Sequence, residues 1–225
     1  MFLRHFAVAL GAKKAAPKAS LGALVFGAQL ADLLWPIFLL LGWEQVRIDP
    51  SATRVTPLDF ISYPYSHSLL AELLWGLGIG LAYFAIRRNA RAAIAVALCV
   101  PSHWLLDYFS HRPDMPIVPG GPRYGLGLWN FPAATLAVEL TLFAIGIALY
   151  LNATRAKDCI GHWALWLLLI LLLAPYLASS NTPPPDERGL AYTALALWIT
   201  VPWAAWADAH RSARSVNPRY PAAIC

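Results

Sequence analysis

Long apolar runs separated by short charged segments dominate the hydrophobic pattern of this chain. Each run approaches the roughly 20 residues that an α-helix needs to cross the hydrocarbon core of a bilayer. The runs lie at about 20–42, 66–86, 92–110, 130–151, 160–178 and 190–207. The pattern predicts an all-α, polytopic membrane helix bundle of about six transmembrane helices, in which residues 1–225 form a single integral membrane domain.

Composition agrees with a membrane protein. Hydrophobic residues make up 59% of the chain and charged residues only 13%, far from the average of soluble domains. The formal net charge is +5, but the Lys and Arg residues lie in short loops and not on one face or arm. The expected partner is therefore the lipid bilayer and not nucleic acid. Composition leaves the oligomeric state open.

The distribution of Lys and Arg predicts the orientation of the spans. If the N-terminus is cytoplasmic, the outer loops hold five of the 17 basic residues: Arg47, Arg54, Arg112, Arg123 and Arg188. The inner segments hold the remainder: Arg4, Lys13, Lys14, Lys18, Arg87, Arg88, Arg91, Arg155, Lys157, Arg211, Arg214 and Arg219. Cytoplasmic loops are enriched in Lys and Arg, so this asymmetry predicts that both termini are cytoplasmic.

The stretch SHWLLDYFSH, residues 102–111, introduces three polar residues into an apolar run. His103, Asp107 and His111 follow one another at intervals of four, so they form one stripe on a helix. Ionisable groups at bilayer depth are costly unless they are paired, which makes them candidates for function. We therefore expect these three side chains to face a shared partner such as a metal ion.

A depth estimate brings other polar residues to the same level. With a rise of about 1.5 Å per residue, Asp32 lies roughly 21 Å above Lys18, and His103 and Asp107 lie roughly 18 and 24 Å above Arg91. His67 begins the second span at its outer end. His5 reaches this zone if residues 2–12 form a short half-helix that dips into the membrane with its start pointing outward.

Five of these residues lie in short motifs. They are His5 in RHFAVAL, Asp32 in QLADLLW, His67 in YSHSLL, and His103 and Asp107 in SHWLLD. Their order resembles that of bacterial membrane-bound metal-dependent hydrolases of the YdjM/YbcI type, which carry an early His, an Asp ending the first long apolar stretch, a THS motif and an H-x-x-L-D motif. The resemblance covers residues 1 to about 115 and implies a location in the bacterial inner membrane.

The chain departs from that family pattern at two motifs. The family's Asp motif usually reads LPDID, with two acidic residues, whereas this chain has LADLL with one. The Arg that precedes the family's THS motif is also missing, because YPYSHS stands before Leu69. The first difference bears on whether the site holds a second metal.

A more distant resemblance is to zinc-dependent phospholipase C and P1-type nucleases, and it suggests phosphate-ester chemistry. Their ligands follow the order His, Asp, His, H-x-x-x-D, His. The corresponding metal-ligand candidates here are His5, Asp32, His67, His103, Asp107 and His111. Mixed imidazole and carboxylate ligands suit zinc first, with Mn²⁺ or Fe as alternatives, better than Mg²⁺ or Ca²⁺.

Further charged residues have two interpretations each. Glu139 is expected at similar depth and could act as a general base, or it could form a structural pair with a Tyr or Trp. Arg112 and Arg123, in the Pro- and Gly-rich loop 112–129, could bind an anionic substrate or simply face water. Glu72 lies about 140° around the helix from His67, which predicts an interhelical hydrogen bond.

These observations predict a membrane-bound metal-dependent hydrolase. Its substrate would be a phosphate ester or a lipid-like molecule at the extracytoplasmic side. Residues 1–115 would carry the metal site, and residues 116–225 would supply an outer loop and bracing helices. Two other classes stay open: an ion- or proton-coupled transporter, and a non-enzymatic membrane protein with a degenerate metal site.

Overall fold

The apolar runs form a helix bundle in the computed structural model, which describes residues 3–178, 184 and 186–214. Five helices are long and apolar enough to cross a bilayer, or six if one bent pair forms a single span. The chain is therefore a multi-pass membrane protein, and the predicted all-α fold is confirmed. Its helices are α1 (Leu3–Ala15), α2 (Leu21–Ala28), α3 (Leu30–Leu40), α4 (Leu69–Arg87), α5 (Ala90–Ser110), α6 (Pro132–Ala153), α7 (Cys159–Ala178), α8 (Glu187–Leu195) and α9 (Thr200–Ala209).

The first and last predicted spans are not continuous α-helices. The first is divided at Gln29 into α2 and α3, which meet at an angle of 55°. The last consists of α8, a 3₁₀ turn at Ala196–Ile199, and α9. A break exposes backbone groups that an unbroken helix would satisfy internally.

The N-terminal segment forms the predicted half-helix, although it extends to Ala15. Helix α1 packs against α6, α2 and α5, and its side chains from Leu3 to Ala7 are all buried. A Cβ atom added at Gly146 of α6 would lie 2.6 Å from the Cα atom of Ala7. The two helices can approach this closely because position 146 has no side chain.

Short strands, which the hydrophobic pattern does not predict, connect the helices. Strands β1 (Gln45–Ile48) and β2 (Leu58–Ser62) form an antiparallel hairpin between α3 and α4. The strand pair β3 (Met115–Pro116) and β4 (Arg123–Tyr124) lies in the loop after α5. Strands β5 (Thr154–Ala156) and β6 (Arg211–Ala213) pair at the other end of the bundle.

The buried side chains form two apolar clusters. The larger joins α1, α2, α5, α6, α7 and α9 through residues such as Leu24, Val96 and Leu168. The smaller lies under the β1–β2 hairpin and is aromatic, with Trp35, Phe60 and Trp129 among its members. The hairpin and the loop after α5 therefore cover one end of the bundle.

Candidate metal centre

The polar stripe on α5 faces the interior of the bundle, as its spacing predicts. Nε2 of His103 lies 3.3 Å from Oδ2 of Asp107, and Nε2 of His111 lies 3.6 Å from the same oxygen. All three side chains are at most 5% exposed. One carboxylate oxygen therefore stands between two imidazole nitrogens.

Asp32 and His67 reach the same point from other elements. Asp32 lies in the first turn of α3, just beyond the bend, and His67 immediately precedes α4. Nε2 of His67 is 3.6 Å from Oδ1 of Asp32 and 4.0 Å from Oδ2 of Asp107, and Nε2 of His103 is 3.7 Å from Oδ1 of Asp32. Three separate segments thus contribute to one cluster.

His5 joins this cluster through the half-helix α1. Its ring stacks on that of His103 with 3.7 Å between centroids, and its Nε2 lies 3.2 Å from Oδ1 of Asp107. The six predicted ligand residues, His5, Asp32, His67, His103, Asp107 and His111, are therefore brought together.

The bend between α2 and α3 orients His103. Ala28 is the last residue of α2, so its carbonyl has no partner within that helix. This carbonyl lies 2.9 Å from Nδ1 of His103. A carbonyl can only accept, so Nδ1 must carry the proton, and a neutral imidazole then directs the lone pair of Nε2 toward the cluster.

Two other histidines are oriented in the same way. Nδ1 of His67 donates to Oγ of Ser66 at 2.7 Å, and this hydroxyl donates to Oε2 of Glu44 at 2.6 Å. Nδ1 of His111 lies 2.9 Å from Oδ1 of Asp114. Such contacts with the outer ring nitrogen are typical of metal-binding histidines, because they set the tautomer and the ring orientation.

Burial favours the neutral form of the His111 imidazole beside Asp114. It lowers the pKa of His111, which favours the neutral imidazole, although Asp107 and Asp114 act in the opposite direction. The hydroxyl of Tyr63 donates to the same oxygen of Asp114 at 3.0 Å. Burial also raises the pKa of Tyr63, so the phenol keeps its proton and remains a donor.

The second oxygen of Asp107 belongs to a buried ion network. Nη2 of Arg4 lies 2.6 Å from Oδ1 of Asp107, and Nη1 of Arg4 lies 3.0 Å from Oε1 of Glu139. The Arg4 guanidinium also donates to Ser110. The distribution of Lys and Arg predicts that Arg4 lies in a cytoplasmic segment, and this is wrong. Arg4 is a buried group that holds Asp107 in place.

The spacing of these atoms fits a metal ion. Ligands about 2.0–2.1 Å from zinc at the corners of a tetrahedron lie about 3.4 Å apart, close to the 3.3 Å between Nε2 of His103 and Oδ2 of Asp107. Two triads have ligand atoms within 4.8 Å of one another, namely His5, His103 and Asp107, and Asp32, His67 and His103. Nε2 of His103 is buried without a hydrogen-bond partner, a position that a cation would satisfy.

A small cavity lies beside the cluster. Its volume is about 100 Å³, and its walls include Trp35, Phe60 and Trp129 together with five of the six predicted ligands. The side chain of Asp32 is 27% exposed. Those of Asp107 and of the histidines that face Asp107 are at most 5% exposed. Asp32 is therefore the member of the cluster that solvent or a substrate meets first.

The remaining predicted site residues lie outside this cavity. Glu139 pairs with Arg4 behind Asp107, which favours a positioning role, and its role as a general base stays a prediction. Arg112 contacts the carboxylates of Asp59 and Asp114. Arg123 donates to the carbonyl of Ile61 at 2.8 Å. Their role in substrate binding also stays a prediction.

Several residues that orient the cluster could not be recognised individually in the sequence. Glu44 precedes the first strand, and Asp114 lies in the Pro- and Gly-rich loop after α5. Ser66 and His67 are adjacent in YSHSLL, which is a weak signal for a contact between them. Glu72 does form the predicted interhelical hydrogen bond, since its Oε2 accepts from the backbone nitrogen of Trp104 at 3.0 Å.

In comparisons with protein-family models, with curated proteins and with solved structures, nothing matches this chain.

Proposed function

We propose that this protein is a membrane-bound metal-dependent hydrolase of the YdjM/YbcI type. The observation that carries the proposal is the convergence of His67, His103 and His111, each oriented through Nδ1, on the carboxylates of Asp32 and Asp107. In its neutral form, each of these imidazoles presents its Nε2 lone pair to carboxylate oxygens, an arrangement that a bound cation would stabilise. Structural hydrogen bonding alone would not require three imidazoles in this arrangement.

Formal charge supports a divalent cation. Among the described residues, Arg4 is the one Lys or Arg paired with the carboxylates of Asp107 and Glu139, and Asp32 adds a third carboxylate nearby. The excess of two negative charges would be neutralised by one divalent ion. The ligand types favour zinc, with Mn²⁺ or Fe as alternatives.

A bound ion of this kind would supply Lewis acidity and a water that ionises near neutral pH. The protein's own residues provide the rest of the chemistry. Asp32, partly exposed beside the cavity, is placed to accept a hydrogen bond from an entering water. Trp35, Phe60 and Trp129 line the cavity and would shield the reacting group from bulk solvent.

The cavity supports a substrate with a small reactive group. A cavity of about 100 Å³ admits several water molecules. A phosphate-sized group fits this space better than a whole lipid, so the apolar part of a lipid-like substrate would remain outside. We infer that the cavity faces the extracytoplasmic side of a bacterial inner membrane, because the opposite end of the bundle carries the basic loops.

The test measures metal content and hydrolysis together. Purified wild-type protein is expected to hold about one zinc, manganese or iron per chain and to release phosphate from a chromogenic phosphate ester or from a phospholipid. His103→Gln should lose most of the metal and the activity. His162→Gln, which changes a histidine in α7 on the other half of the bundle, is the matched control and should lose neither.

The outcomes distinguish the competing functions. Equal metal content in wild type and His103→Gln would rule out the site. Metal that depends on His103, without hydrolysis of any ester, would favour the non-enzymatic alternative. Metal-dependent ion flux in proteoliposomes, without hydrolysis, would favour a transporter.

A further inference from the structure

A second polar region lies at the opposite end of the bundle, where the α1–α2 connection meets the α4–α5 turn. Two neighbouring cavities of about 380 and 540 Å³ share Lys18 and Asn89 as lining residues. Arg91 lines the first cavity, and Arg87 and Arg88 line the second. We name these two cavities together the basic groove.

The positive charge of the basic groove is not neutralised within the part of the chain that the structure describes. None of the described residues that line the two cavities is acidic. Two carboxylates at this end of the bundle are already paired, Asp158 with His210 at 2.7 Å and Asp208 with Lys13 at 2.6 Å. The four cations of the groove are therefore available to an external anion.

The backbone at Arg88 is a second, independent observation. This residue ends α4 with φ 50° and ψ 36°, and it is the one non-glycine residue with positive φ among those described. Glycine is the usual residue at such a helix end, because a side chain makes the left-handed conformation unfavourable. An arginine at this position lowers the local stability of the backbone. With Arg87 and Asn89 it makes three consecutive polar residues in the turn.

The surroundings of the basic groove are apolar and belong to the membrane surface. The groove lies at the ends of two membrane-spanning helices, α4 and α5. Tyr83 and Ile86 line one of its cavities, and Ile86 is 78% exposed. Ile94, one turn into α5, is also exposed. An anion that carries hydrocarbon chains would contact both surfaces at once.

We propose that the basic groove binds the headgroup of an anionic phospholipid, with Lys18, Arg87, Arg88 and Arg91 contacting the phosphate and Tyr83 and Ile86 contacting the acyl chains. Clusters of Lys and Arg next to membrane helices attract anionic lipids, and basic pockets between helices bind their headgroups. The groove is separate from the histidine cluster, so this binding does not depend on the proposed hydrolase activity.

The experiment titrates the purified full-length protein in detergent with phosphatidylglycerol or phosphatidylcholine and counts bound lipids by native mass spectrometry. Wild-type protein should bind phosphatidylglycerol in preference to phosphatidylcholine. Each removed cation should weaken binding about fivefold, so Arg87→Gln combined with Arg91→Gln should weaken it about 25-fold. The matched control is Arg214→Gln, which removes an exposed cation at the same end outside the groove and should change binding less than twofold.

A second variant separates binding from folding. Arg88→Gly removes a charge but supplies the residue that a left-handed backbone favours. It should weaken phosphatidylglycerol binding about fivefold while the unfolding temperature stays the same or rises.

Three results would overturn the proposal: unchanged binding in these variants, an equal loss in Arg214→Gln, or displacement of the lipid by millimolar glycerol phosphate, which would indicate a site for free phosphate esters.

Discussion

Arg4, Asp107 and Glu139 at one end of the bundle are buried and in contact with one another, whereas Lys18, Arg87 and Arg91 at the other end are exposed. The buried charges form part of a network that extends to the histidines. The exposed charges have open cavities beside them. Buried charges must be paired within the protein, while charges at the membrane surface can be satisfied by water or lipid. The same residue types therefore serve structure at one end and recognition at the other.

The side chains at the buried end are also held in more specific orientations than those at the exposed end. Each cluster histidine that faces Oδ2 of Asp107 has a named partner at Nδ1, so its lone pair has one direction. The arginines of the basic groove have no such partner among the described residues and keep their rotamer freedom. Metal ligation requires fixed directions, whereas attraction to a lipid phosphate does not.

The largest predicted effect is at the buried end. Asp107→Ala should lower the free energy of unfolding by about 3–5 kcal/mol, because it breaks a buried ion pair with Arg4. Unfolding of the detergent-solubilised protein by heat or denaturant measures the change. Glu187→Ala, which removes an exposed carboxylate from the first turn of α8, is the control and should leave the unfolding temperature almost unchanged. A similar loss of stability in both variants would mean that the ion pair between Asp107 and Arg4 does not stabilise the fold.

A smaller effect is expected when an orienting contact is removed. Asp114→Ala leaves every proposed ligand in place but deprives Nδ1 of His111 of its acceptor. Loss of such a contact typically weakens metal affinity 10–100-fold. Competition with a chelator of known affinity measures the change in protein that remains folded. An unchanged affinity would mean that His111 is not a ligand.

The smallest effect is expected at the exposed end. Arg87→Gln combined with Arg91→Gln should shift the unfolding temperature by less than about 2 °C, because surface substitutions away from packed groups change stability little. The same protein should keep its full metal content, as measured by elemental analysis. A large loss of stability would show that these arginines have structural partners within the chain.

Much of the fold can be predicted from the sequence because hydrophobicity is a local property. An apolar run of about 20 residues must be a helix in a bilayer, since no water is present to satisfy the backbone. The stripe of His103, Asp107 and His111 follows from helical periodicity alone. The predicted spans therefore agree with the helices within a few residues, except where the chain bends at Gln29 and where a 3₁₀ turn interrupts the last span.

The sequence by itself thus determined the membrane class, the helix positions and the set of polar residues at a common depth. The tertiary structure decided which of those residues touch. It places Arg4 against Asp107 and Glu139, and it directs the Ala28 carbonyl to His103 through a bend in the first span. These contacts join residues far apart in the chain, and they depend on how closely packed helices and hairpins meet, which periodicity along one segment does not specify.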